Sequence, residues 1–110
     1  MVNDDLFDNK YFLSYLESKE IINQYVKNNM NEFILKEDEN FGMFFHLKYE
    51  YRSSSIYLLS DRGSLNFKLI INNQEIDLFQ FEPLIVNLEW FSSKNILFLL
   101  KTIERYLIQF

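Results

Sequence analysis

The sequence contains no cysteine and no alanine, and among its 110 residues there are only two glycines, one proline and one histidine. Without cysteine there is no disulfide framework, and no CxxC pair for redox or metal work. Two glycines cannot supply GxGxxG or GxxxxGK[ST], so the loops that cradle phosphate are excluded. A lone histidine, His46, cannot build a multi-histidine metal site. As a general base it would need an orienting partner and a nucleophile. The run Ser53-Ser54-Ser55 lacks the flanking glycines of a nucleophile elbow and reads as a polar turn. Long apolar runs are also missing. Ile96 to Leu100 and Leu84 to Val86 fall far short of the roughly 20 residues that span a bilayer.

What is present points to a packed globule. Hydrophobic residues make up 48% of the chain and charged residues 25%, too apolar a balance for a disordered polymer. A chain of this length buries a core without metals or disulfides, and no repeat or Gly/Ser/Pro-rich linker divides it. A single domain over residues 1–110 is the expectation. Its beginning, Met1-Val2-Asn3-Asp4-Asp5, is acidic where a signal peptide is basic, so a cytoplasmic location is expected.

The net charge of -5 is unevenly spread. Residues 1–40 hold nine acidic and four basic side chains, whereas residues 41–80 and 81–110 are each balanced. Nucleic-acid binding needs cations that replace phosphate counterions, and this distribution argues against it. An acidic surface suits a basic protein partner, although such charge also serves plain solubility.

Hydrophobic periodicity predicts an α+β domain. Phe12, Tyr15, Leu16, Ile22, Val26, Met30 and Phe33 follow helical spacing, which predicts a helix over 9–30 capped by Asp8. Lys36-Glu37-Asp38-Glu39-Asn40 reads as a polar loop. The period then changes to two, with Phe41, Met43, Phe45, Leu47, Tyr49 and Tyr51 on one face of a strand and His46, Lys48 and Glu50 on the other. Further strands are expected at 56–60, 65–71, 75–81 and, as an edge segment, 84–90, with turns at Asp61-Arg62-Gly63-Ser64 and Asn72-Asn73. Ser92 or Ser93 caps a final helix whose apolar stripe is Ile96, Leu97, Leu100, Ile103 and Leu107. The expected fold is therefore an N-terminal helix, an antiparallel sheet of four or five strands and a C-terminal helix, with both helices packed on one face.

Few side chains combine into chemistry. Glu75 and Asp77, two apart on one predicted strand face, and Glu50 are the carboxylates that could supply a catalytic pair. Such a pair needs about 5–10 Å between its carboxyls inside a cleft, and so many acids meet that spacing by accident. Glu37, Asp38 and Glu39 lack the alternating oxygen ligands and central glycine of a calcium loop. No catalytic residue, cofactor or metal site is assigned. Trp90 reads as core, while Phe79 and Phe81 share the predicted strand face of Glu75 and Asp77 and are read neither way.

In size, acidity, lack of cysteine, AT-rich codon composition and the close Trp90-Phe91-Ser92-Ser93 followed by an amphipathic helix, the chain resembles the immunity proteins encoded beside bacterial polymorphic toxins, including those of contact-dependent growth inhibition. That resemblance implies an antitoxin that binds one cognate, basic toxin domain, such as a nuclease, and blocks its active site or substrate access. It carries over no functional residue. The surface expected to meet the toxin is acidic: Asp4, Asp5, Asp8, Glu37, Asp38 and Glu39, with Glu75 and Asp77 as a second patch. A monomer with no nucleic-acid or membrane partner is expected. The alternatives are a type III-like secretion chaperone holding an effector segment and, third, a small enzyme using a carboxylate pair.

Overall fold

The structure is a computed structural model that describes residues 15–41, 44–61, 64–87 and 93–109. In chain order it comprises α1 (Tyr15–Asn29), β1 (Ile34–Phe41), β2 (Phe44–Tyr51), β3 (Ser54–Asp61), β4 (Ser64–Ile71), β5 (Gln74–Ile76), α2 (Leu78–Phe81), a 3-10 turn (Pro83–Asn87) and α3 (Ser93–Ile108). The five strands form one antiparallel sheet in the order β1-β2-β3-β4-β5. Each strand is tied to the next by a short connection, and such connections can join only antiparallel neighbours. The expected α+β architecture is the observed one. No described helix is long and apolar enough to cross a membrane.

One face of the sheet carries the core. Phe45, Leu47 and Tyr49 of β2 lie opposite Ser60, Leu58 and Ile56 of β3, which in turn lie opposite Leu65, Phe67 and Leu69 of β4. All but Phe67 are buried, and Phe67 packs against the same cluster. The helices close this face with Ile22, Val26 and Met30 from α1 and Ile96, Leu99, Leu100 and Ile103 from α3. The predicted α3 stripe holds at Ile96, Leu100 and Ile103; Leu99 joins it, and Leu97 and Leu107 sit half-buried at its margin. Leu16, expected in the α1 stripe, is 70% exposed, because burial along α1 begins at Ser18.

Polar contacts fix how the layers sit. The Tyr25 hydroxyl donates to Glu104 of α3, and the Tyr49 hydroxyl donates to Asn23 of α1. Burial first, and then the Glu104 acceptor, push the Tyr25 hydroxyl well above its ordinary pKa. Burial first, and then the charge of Asp38, do the same to Tyr49. Short α2 lies against α3, where Arg105 reaches Glu82 at 3.1 Å and Phe81 meets Tyr106 edge to face.

The turns follow the local chemistry. Asn72 and Asn73 have φ values of 52° and 68°, the pair of positive angles that a two-residue hairpin turn requires and asparagine tolerates. Five segments depart from expectation: Phe41 ends β1 and does not open the next strand, Ser54 and Ser55 belong to β3 and not to a turn, and three others change element. Lys36 to Asn40 belong to β1 and are not a loop. The strand expected over 75–81 ends at Ile76, because the Asp77 carboxylate accepts the Phe79 amide at 3.1 Å and caps α2. The segment expected at 84–90 as an edge strand is a 3-10 turn over Pro83–Asn87, opened by a proline whose fixed φ suits a helical first position. Leu88, Glu89 and Trp90 lie outside the described residues, as do residues 9–14 of the expected first helix and the Ser92 cap. The sheet edges are β1 and β5.

Leu58 and Leu59 are sequence neighbours on opposite faces of the central strand, fully buried and 41% exposed respectively. Leu58→Ala is expected to cost about 2–5 kcal/mol of unfolding free energy and Leu59→Ala no more than about 0.5, measured by urea denaturation. Equal costs would contradict one-sided burial.

Candidate functional site

The other face of the sheet is not covered by any described helix, and its chemistry concentrates on β1, β2 and β3. Antiparallel register builds two rungs there. Glu39, His46, Leu59 and Asn66 form one, and Glu37, Lys48, Tyr57 and Lys68 the next. Side chains directly opposite one another in a sheet interact, so each rung is a row of touching groups.

Tyr57 is the centre of this face. His46 stacks on its ring at 5.9 Å with 9° between the planes, and the ammonium groups of Lys48 and Lys68 lie 5.2 and 5.8 Å from the ring centroid. Carboxylates surround the cations. Lys48 Nζ is 2.8 Å from Glu50 and 3.8 Å from Glu37 Oε2, while Lys68 is 4.0 Å from Glu75. His46 Nδ1 lies 3.4 Å from Glu39 Oε1 and 3.5 Å from Glu37 Oε1. Hydrogen bonds to Glu50 and to Tyr57 raise the Lys48 pKa, and the Lys48 hydrogen bond holds the Glu50 carboxyl below its ordinary value.

The acidic edge strand forms despite a composition poor in strand formers, because each of its acids has a cationic or polar partner. Glu37 and Glu39 point to the open face, toward Lys48 and His46. Strand alternation puts Asp38, opposite buried Leu47, on the helix side, where it pairs with Lys19 of α1. Lys19 also reaches Asn40 Oδ1 at 3.5 Å. Four carboxylates (Glu37, Asp38, Glu39 and Glu50) therefore face three lysines (Lys19, Lys36 and Lys48), and with His46 uncharged the strip keeps one net negative charge.

Of the partner-binding residues expected from the sequence, Glu37, Asp38 and Glu39 stand together on the sheet edge, with Asp38 facing the opposite side from the other two. Asp4, Asp5 and Asp8 lie outside the described residues. Glu75 and Asp77 do not form a patch on one strand face. Glu75 lies on the open face at the far edge, whereas Asp77 has left the strand to cap α2. The backbones of Glu50 and Glu75 are separated by three strand spacings, about 14 Å, and each side chain is held by a different lysine.

The grouping of Glu37 and Glu39 with His46 was missed in the sequence, although the signal was there. Phe41 and Phe44 flank a two-residue connection, and counting outward from that pair sets Glu39 against His46 and Glu37 against Lys48. Reading 36–40 as a loop concealed it.

Lowered in the folded state, the Glu50 pKa implies stabilisation that is present above the unfolded value and is lost as pH falls through the folded one. Carboxyl NMR titration should place the Glu50 midpoint below that of an ordinary glutamate, and Lys48→Met should move it up. A midpoint indifferent to Lys48 would contradict the pairing. In comparisons with known proteins, no family model, no curated protein and no solved structure matches the chain.

Proposed function

We propose that the chain is an immunity protein that binds a cognate toxin domain and neutralises it, and that the acidic edge of the sheet is its contact surface. The observation that supports this reading most is β1. An edge strand offers unpaired backbone groups to an added strand, and here it also carries three consecutive acids. The side chains of Glu37, Asp38 and Glu39 remain 43%, 41% and 53% exposed, so their charge is available to a cationic partner.

The mechanism is electrostatic capture followed by occlusion. The uncompensated negative charge speeds the approach of a basic domain, and strand addition or side-chain contact along β1 then covers the cationic surface with which a nuclease would hold its substrate. Tyr57 and Leu59, two strands from the acids on the open face, supply apolar area that slows dissociation. On this reading the chain is a cytoplasmic, monomeric binder and not an enzyme.

The test begins with affinity capture of the tagged chain from its host and identification of stoichiometric partners by mass spectrometry. The reading requires a partner whose isolated domain arrests growth, and whose toxicity is relieved when this chain is co-expressed. Recovery of no such protein contradicts it. For the complex, the double substitution Glu37→Lys with Glu39→Lys spares the Lys19–Asp38 tie. It should slow association by about tenfold or more at low ionic strength, and by much less at about 1 M salt, where the Debye length shrinks to about 3 Å. Association and affinity unchanged at every ionic strength would remove β1 from the interface.

A further inference from the structure

The geometry around His46 points to a second property that does not depend on a toxin. We propose that Glu37, Glu39 and His46 form a three-ligand site for a zinc-class divalent cation on the open face of the β1–β2 hairpin. Their ligand atoms all lie within 4.8 Å of one another.

The contact of His46 Nδ1 with Glu39 is a long hydrogen bond in the ion-free chain, and the same spacing matches a bound cation. One ring nitrogen, Nδ1, faces two carboxylate oxygens at 3.4 and 3.5 Å. An N–H···O bond prefers about 2.9 Å, so an N–H shared between the two oxygens is a long, weak contact. A tetrahedral zinc ion with bonds of about 2.0–2.2 Å to nitrogen and oxygen separates neighbouring ligands by about 3.4 Å, the spacing found here. Both carboxylates therefore stand off from the imidazole by the edge of a zinc tetrahedron.

The frame holds that arrangement. Glu39 is directly opposite His46 in the hairpin, and Glu37 is two residues along on the same face. Stacking on Tyr57 restrains the imidazole plane. Lys48 competes for Glu37, but its shorter contact is with Glu50. It approaches Glu37 through Oε2, leaving Oε1 toward the histidine. One imidazole and two carboxylates suit zinc better than calcium or magnesium, which take oxygen ligands in larger number. The side chains are 23% to 53% exposed, so an ion can enter from solvent, and the fourth position is left for water.

Calorimetric titration of the full chain with zinc chloride should show one ion bound with a dissociation constant in the micromolar range. His46→Asn and Glu39→Gln should each weaken it at least as much as the loss of an outer-shell partner does elsewhere, about 10–100-fold. Glu75→Gln, far from the site, should bind as the parent does. Cobalt should give the intense visible absorption of a tetrahedral centre. In the unsubstituted chain, zinc should shift the His46 ring nitrogen resonances, a readout that needs no variant to fold. The proposal is overturned by the absence of saturable binding at millimolar zinc, by His46 resonances that do not move, or by unchanged affinity in His46→Asn. Toxin binding is read without added metal, so the two proposals are tested separately although both use Glu37 and Glu39.

Discussion

The constraint on which the structure depends is that its sheet is buried on one side only. In β2, β3 and β4 the side-chain period of two sends Phe45, Leu47, Tyr49, Ile56, Leu58, Leu65 and Leu69 into the helices, and so commits every alternate residue to the other face. A slip of one residue in any of these strands would expose the core and bury Lys48, Glu50 or Lys68. Register is therefore set by hydrophobic burial, and the open face inherits its layout. His46 and Lys48 of β2 stand beside Leu59 and Tyr57 because their neighbours in sequence are core.

The edge strand is attached to this frame by its pairing with β2 and by charge. Lys19 ties Asp38 and Asn40 to α1 on the inner side, while His46 and Lys48 receive Glu37 and Glu39 on the outer. Exposed ion pairs contribute little singly, roughly 0–1 kcal/mol. Their value here is positional, since they hold three acids in fixed places on an edge that pairing with β2 has already formed. The side-chain period of two separates Asp38 from its neighbours, giving one acid to the helix and two to the open face. An acidic edge also discourages unspecific pairing with copies of itself, which leaves the strand available to a basic partner.

The fold was largely legible where apolar periodicity speaks. The alternation in 45–51, 56–60 and 65–71, the Asn72-Asn73 turn and the α3 stripe translate directly into structure, because each reports a buried face or a required positive φ. Legibility failed where polar chemistry decides. Residues 36–40 contain no apolar alternation, since ion pairs replace hydrophobic contacts on both of their faces. Asp77 acts through a cap, and Pro83 through its fixed φ, and neither effect leaves a trace in hydropathy. The candidate site was half legible for the same reason. Glu37, Asp38 and Glu39 were marked by charge, but His46, Lys48 and Tyr57 join them only through the pairing of β1 with β2. Glu75 and Asp77, close in sequence, are separated by a change of element.

Both functional readings rest on the acidic segment being a paired strand. The most direct measurement is amide hydrogen exchange across residues 34–41, resolved by residue with NMR. The account predicts alternation along the segment: amides directed at β2 are protected as part of the sheet, and those directed outward exchange near the rate of free chain. Uniformly fast exchange from Lys36 to Asn40 would contradict it, and would return those residues to a loop with no fixed relation to His46 or Lys48.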